Sequence, residues 1–331
     1  MPRFRARLAA MTAAAALCLL NCTTASTHAE AAGSLRWVAL GDSYTAGVIH
    51  ATGPTFEQPR DGCQRTTGSY PEVIKRHLGP QIDLRNVSCG NATIAEVTHN
   101  RQTPIGYQLH IPGVVDIHDP DYPFDPVAPQ VDALDPDTDV VTVGVGGNSL
   151  GFGEILGKCV SLGPTGGIGS SPCKDYYTSG TTETIEDRLQ HVAHEYDVML
   201  TAIHHRAPFA RVVTVGYPAV IPDNAANCLY GNLLQFATIR HADLNWLRDS
   251  VLQPLNAAIH SESGKHGDTY VDVYTSSKGH SVCAGGQDKW IEGIKERLGD
   301  DDNPNTWALV HPNSRGHANA AARVEDAILG G

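Results

Sequence analysis

The chain has 331 residues and, with 24 Lys and Arg against 36 Asp and Glu, a formal charge of −12. That length suits one large α/β domain with a full core rather than a minimal fold. So acidic a surface repels phosphate backbones, which argues against nucleic acid as a partner.

Residues 1–29 read as a targeting segment. Arg3, Arg5 and Arg7 precede an uncharged, largely apolar run from Leu8 to Leu20, and small residues then offer cleavage after Ala29 or Ala31. The run is too short to cross a bilayer as a helix, so a signal peptide is expected rather than an anchor, with the product secreted and residues 30–331 forming a single domain. Leu19-Leu20-Asn21-Cys22 faintly resembles a lipoprotein box, but Asn21 stands where a small residue is expected. Without the three signal arginines the charge is −12 − 3 = −15.

The first buried-strand pattern is Leu35 to Leu40, followed at once by Gly41-Asp42-Ser43-Tyr44-Thr45-Ala46-Gly47. A serine at the carboxyl end of a strand, between glycines that permit a tight turn, presents its hydroxyl among backbone N–H groups, as a nucleophile requires. An N-cap or phosphate-binding turn is the alternative, although the segment fits neither G-x-G-x-x-G nor G-x-x-x-x-G-K.

A helix is expected over Tyr70 to Leu78, then strands over Ile82 to Val87 and Val140 to Val145. The stretch between, 101–137, is rich in Pro and Asp and reads as an irregular loop. Val145-Gly146-Gly147-Asn148-Ser149-Leu150-Gly151-Phe152 follows the third strand. Asn148 beside two glycines offers an amide donor on a backbone that can approach a ligand, which suits an oxyanion site; an ordinary Gly-Gly-Asn turn would read the same.

A second expected loop, 156–183, is rich in Gly, Ser and Thr. Helices are expected over Thr184 to His205 and Leu233 to His260, and strands over Arg211 to Val215 and Thr269 to Val273. Near-continuous apolar strands alternating with helices describe an open α/β sandwich. In such sheets loops gather where ligands bind, at the carboxyl ends of the strands, so the two long loops are expected to wall the site.

Near the C-terminus stands His311-Pro312-Asn313. Histidine alone titrates near neutrality unaided, which makes it the usual acceptor of a serine proton. Two of the eight cysteines lie in the signal segment, leaving Cys63, Cys89, Cys159, Cys173, Cys228 and Cys283. An even set in an exported chain reads as three disulfides, with connectivity open; no C-x-x-C pair suggests zinc.

Gly41-Asp42-Ser43, Gly147-Asn148 and His311-Pro312-Asn313 together, in this order, resemble the GDSL/SGNH hydrolases. The likeness extends to Pro129-Gln130-Val131-Asp132-Ala133-Leu134, Gly216-Tyr217-Pro218 and Gly279-His280, which are similar to segments of secreted actinobacterial lipases and esterases. The resemblance implies a three-layer α/β/α sandwich with a five-stranded, mainly parallel sheet, the flavodoxin-like SGNH hydrolase fold. It implies Ser43 as nucleophile, His311 as base, Asn148 and the Ser43 N–H in the oxyanion hole, and the pairs Cys63–Cys89, Cys159–Cys173 and Cys228–Cys283.

The sequence departs from the family pattern in three places. Cys89-Gly90-Asn91-Ala92-Thr93 puts Asn91 where a glycine usually gives its N–H to the oxyanion, and the other register gives Gly90 that job. Ser149 follows the oxyanion asparagine where Asp is frequent. Ala308 stands where the acid of a triad would lie, three residues before the histidine. A main-chain carbonyl can accept the same imidazole N–H, so a Ser–His dyad oriented by the Ala308 carbonyl is expected, with Asp301 or Asp302 as the alternative acid.

The function so implied is a secreted serine ester hydrolase, a lipase or carboxylesterase, working through an acyl-enzyme. It needs no metal or organic cofactor and no stable protein partner, and is expected to be a monomer. A carbohydrate acetyl-esterase or phospholipase A on the same site is the alternative, and a non-catalytic surface-binding protein on the same scaffold is the rival from another class.

Overall fold

The computed structural model describes residues 33–111, 115–180, 183–296 and 307–330. Residues 1–29, expected to be a signal peptide, and Asp301 and Asp302 lie outside the described residues.

Five strands form one parallel sheet: β1 (Leu35–Gly41), β2 (Ile82–Asn86), β5 (Val140–Gly144), β6 (Arg211–Val215) and β7 (Thr269–Val271), in the order β2-β1-β5-β6-β7. Side chains alternate across it as the pleat demands. On β1, Trp37 and Ala39 enter one core with Tyr70, Ile74 and Val324, while Val38 and Leu40 enter the other with Met199, Leu200 and Ile259. Helices α2 (Tyr70–Leu78) and α11 (Ser314–Leu329) cover the first face; α3 (Ile94–Thr98), α7 (Ile185–Arg206) and α9 (Gln253–His266) cover the second. This is the α/β/α sandwich that the alternation of strands and helices implied.

Three expected segments differ. The 101–137 stretch contains an antiparallel hairpin, β3 (Leu109–Ile111) with β4 (Val115–Ile117). The 156–183 stretch is largely helical: α5 (Phe152–Leu162) runs into it and α6 (Pro172–Thr178) follows. Its glycines had suggested a loop, but Ile155, Cys159, Cys173 and Tyr177 are buried at helical spacing. The helix expected from Leu233 begins only at α8 (His241–Leu247) and then passes through a π-helical turn, Arg248–Leu252, into α9. In the non-helical stretch 233–240, Leu233 lines a cavity while Phe236, Ala237 and Ile239 enter the core, and this apolar density mimicked a helical pattern.

Among the described residues, three short helices, α1 (Ser43–Ala46), α4 (Gly147–Leu150) and α10 (Val273–Ser276), the last capped by Asp272, and three disulfides add to the frame. The cysteines pair in sequence: Cys63–Cys89, Cys159–Cys173 and Cys228–Cys283.

Candidate active site

The carboxyl ends of β1 and β5 and the last turn before α11 bring three segments together. β1 stops at Gly41, whose φ of +150 and whose surroundings both exclude a side chain: a Cβ there would lie 2.3 Å from Thr45 Oγ1 and 2.6 Å from the Gly144 carbonyl. Asp42 then caps α1 by accepting from the Tyr44 N–H. Ser43 is the first residue of that helix, and Gly47, in the left-handed region, ends it.

His311 Nε2 lies 2.7 Å from Ser43 Oγ. Its Nδ1 lies 2.7 Å from the Ala308 carbonyl and 3.1 Å from that of Leu309. Carbonyls only accept, so Nδ1 carries the hydrogen and Nε2 presents a lone pair to the serine hydroxyl. The turn that delivers the ring is unusual, because Leu309 and Val310 both have positive φ, 45 and 68. Such residues cost on the order of 1–3 kcal/mol each and persist only where their surroundings hold them. Here the Ala308 and Leu309 N–H groups donate to the Ile294 carbonyl, the Val310 N–H donates to Gly293, and the Tyr44 hydroxyl donates to the Val310 carbonyl at 2.6 Å.

Ser43, Asn91 and Asn148 line one cavity. No hydrogen bond from the Ser43 N–H is found among the described residues, and the same holds for Asn91, whose φ is 68. Gly90, by contrast, already donates its N–H to the Cys63 carbonyl at 2.9 Å, while the Cys89 N–H donates to Gly41. The Cys89 N–H bond thus fastens this segment to the end of β1, the Cys63–Cys89 bridge fastens it to the Cys63 loop, and Asn91, exposed at the turn, keeps the open donor. Asn148, on α4, ties one amide hydrogen to the Ala92 carbonyl at 2.9 Å and keeps the other. Ser149 accepts from the Ile94 N–H, which locks α4 against α3.

Two tyrosines that motif reading did not single out complete the arrangement. The Tyr217 hydroxyl donates to Asp42 at 2.5 Å and accepts from the Gly147 N–H at 2.7 Å, so one group joins the serine turn to the Asn148 turn. Tyr217 is itself gripped through its backbone by Asn256. The signal available in the sequence was a tyrosine directly beyond a buried strand, in Gly216-Tyr217-Pro218. Tyr44 packs its ring 4.7 Å from His311 and edge-on to Tyr217 at 5.0 Å.

Burial sets the charge states. It pushes Asp42 up to about 7, against the pull of the Tyr217 hydroxyl and the Tyr44 N–H, and it pushes His311 down to about 4, against the Ala308 and Leu309 carbonyls. A base must be neutral to accept a proton, so the low value keeps His311 competent far into the acid range. The expected profile is a kcat/KM that holds below pH 6 and falls as pH drops through about 4. An inflection between pH 6 and 7 that survives Asp42→Asn would instead indicate a carboxylate paired with the imidazole. Among the described residues no carboxylate bonds His311, and no group of three His, Cys, Asp or Glu could hold a metal ion.

The dyad opens into a cavity of about 1240 Å³. Both long stretches expected to wall the site reach it, through Ile105 to His110 and Ile117 from one stretch and Leu156, Gly157, Lys158, Val160 and Ser161 from the other.

A parallel sandwich with a serine and a histidine in contact at the strand ends is a hydrolase arrangement, and the chain belongs to the GDSL-like Lipase/Acylhydrolase family, whose pattern matches residues 39–318. It is 32% identical to "Lipase 2" of Streptomyces coelicolor, covering 99% of this chain and 98% of that one. It is 30% identical to an "Esterase" of Streptomyces scabiei, over 95% and 93% of the two chains. The fold is shared with the crystal structure of the extracellular lipase from Streptomyces rimosus, at a TM-score of 0.61 and 21% identity over 89% of this chain and 100% of that one.

Proposed function

We propose that the chain is a secreted serine ester hydrolase, a lipase or carboxylesterase, in which Ser43 is the nucleophile and His311 the base. The observation that carries this is the imidazole's double engagement: Nε2 2.7 Å from the serine oxygen and Nδ1 on the Ala308 carbonyl. His311 takes the Ser43 proton as Ser43 attacks the ester carbonyl, and then gives it to the departing alcohol. The developing oxyanion is held by the N–H groups of Ser43 and Asn91 and by the free Asn148 amide hydrogen. Water then hydrolyses the acyl-enzyme with His311 as base. The Ala308 carbonyl does the orienting that a triad acid would do, with less charge stabilisation. No step requires a metal or organic cofactor.

Export as a mature single domain from about residue 30 is supported by the three disulfides, and no helix among the described residues is long and apolar enough to cross a membrane. Labelling of Ser43 by a fluorophosphonate tests the reading against a non-catalytic surface-binding protein, which would not react.

The cavity favours a long acyl chain over an acetyl group. Phe152, Leu156, Leu252, Leu255 and Trp307 line it, supplying apolar surface far beyond what a two-carbon acyl group needs. At 100° per residue, the face of α5 turned to the cavity is centred between Gly153 and Gly157, while Ile155 and Cys159 are buried on the other side. Glycine in a helix interior costs about 0.5–1 kcal/mol relative to alanine, and these two leave the wall bare. Gly157→Leu should therefore cut kcat/KM for a p-nitrophenyl palmitate by about tenfold or more, the scale of a few methylenes' worth of lost fit, while butyrate hydrolysis changes little. A uniform loss across chain lengths, or none, would move the acyl site away from α5 and reopen the acetyl-esterase alternative. A phospholipid assayed beside these esters separates a phospholipase A.

A further inference from the structure

We propose that Tyr44 is the positioning residue of the catalytic base: its hydroxyl holds the left-handed turn 308–310 in the shape that aims two carbonyls at His311. The inference rests on the Ser43–His311 reading and names what holds in place the Ala308 carbonyl that does a triad acid's orienting.

The turn cannot hold that shape by local preference. Positive φ is unfavourable for any residue with a Cβ and most so for a β-branched one, yet Leu309 and Val310 adopt it consecutively. Only with the peptides turned this way do the Ala308 and Leu309 carbonyls come within 2.7 and 3.1 Å of Nδ1. The N–H groups of the turn are satisfied by Gly293 and Ile294, which anchor it from the side of the chain that precedes it. The Val310 carbonyl is held instead from across the site, by Tyr44, at 2.6 Å.

Tyr44 is the residue after Ser43 on α1, and its backbone N–H is fixed by Asp42. The short helix that presents the nucleophile therefore also grips the turn that presents the base, so the separation of Oγ and Nε2 is set through a single rigid element. The Tyr44 ring, lying 4.7 Å from the imidazole and braced by Tyr217, limits how far His311 can tip. Burial pushes the Tyr44 hydroxyl up, so it stays a proton donor throughout the working pH range.

The test is a double-mutant cycle of Tyr44→Phe and Val310→Gly on a short soluble ester, with Ser43→Ala beside it. Tyr44→Phe keeps the ring contacts and should lower kcat by about tenfold to a hundredfold, the usual effect of removing a group that orients a functional imidazole, with KM within about twofold. Glycine adopts positive φ without strain, so in the Val310→Gly background the turn no longer needs its latch. There Tyr44→Phe should cost less than about threefold, and the double variant should turn over faster than Tyr44→Phe alone. An unchanged kcat in Tyr44→Phe, an effect confined to KM, or an equal loss in both backgrounds would each overturn the proposal. Should Tyr44→Phe fold poorly, failure of Val310→Gly to restore kcat, measured per phosphonate-titrated site, overturns it as well. An active Ser43→Ala protein would instead defeat the underlying mechanism, whereas an inactive one with unaltered Tyr44→Phe defeats the latch alone.

Discussion

Replacing Ser43 or His311 by alanine is expected to lower kcat/KM on a short-chain ester by at least about 10³ while leaving the fold intact. The two side chains lie 2.7 Å apart and, on the proposed mechanism, act as one proton-transfer pair, so losing either removes the same step, and the double variant should be hardly worse than the singles. Structural cost is small because neither side chain carries the frame: Asp42 caps α1 and Gly41 closes the turn without the serine hydroxyl, and backbone bonds from Ala308 to Val310 hold the histidine turn. Residual activity above the uncatalysed rate should remain, supplied by the oxyanion donors and by binding. A Ser43→Ala protein that retains more than a tenth of wild-type activity would place the nucleophile elsewhere.

Asn148→Ala is expected to cost about 10²–10³ in kcat, roughly 3–4 kcal/mol of barrier, with little change in KM, because its free amide hydrogen meets charge that develops only in the transition state. The side chain also ties Ala92 at 2.9 Å, so a second loss is built into that variant. Asn148→Asp keeps the volume but replaces both donors by acceptors, losing the bond to Ala92 as well, and should be at least as damaging. A rise in KM with kcat preserved would mean that Asn148 binds the ester in its ground state, and the oxyanion would then rest on backbone N–H groups.

The legible parts of this molecule were those whose physics repeats along the chain. Buried β-branched runs marked all five strands of the main sheet to within two residues at either end, because a parallel strand covered on both faces admits little else. The serine and asparagine segments stood out because tight turns at strand ends demand glycine beside the reactive residue, and the histidine through the resemblance of His311-Pro312-Asn313 to the family's block. Where apolar residues serve a cavity, periodicity misled: Leu233 lines the cavity yet extended a helical pattern eight residues before α8 begins. Glycines misled in the opposite sense, since in α5 they bare a wall rather than end a helix.

Side chains that act on backbone groups left little pattern beyond the tyrosine placed directly after a buried strand at 217. Tyr217 reaches Gly147 and Tyr44 reaches Val310 across sequence separations of 70 and 266, and nothing in the spacing foretells it. Gly90 and Asn91 were likewise indistinguishable as sequence. They differ in a single bond, the one from the Gly90 N–H to Cys63.

The Ala308 carbonyl accepts from both the main-chain N–H and the Nδ1–H of His311. A duty carried by a peptide oxygen belongs to no side chain, so it passes unseen through any survey that works by changing side chains. An alanine scan skips this position because it is alanine already, and an acid-to-amide scan has nothing here to convert. Substitution at 308 reports only on the space around a methyl group that is 1% exposed. The orientation of His311 therefore depends on the peptide torsions from 308 to 310, fixed by the positive φ of Leu309 and Val310, rather than on any side chain at 308.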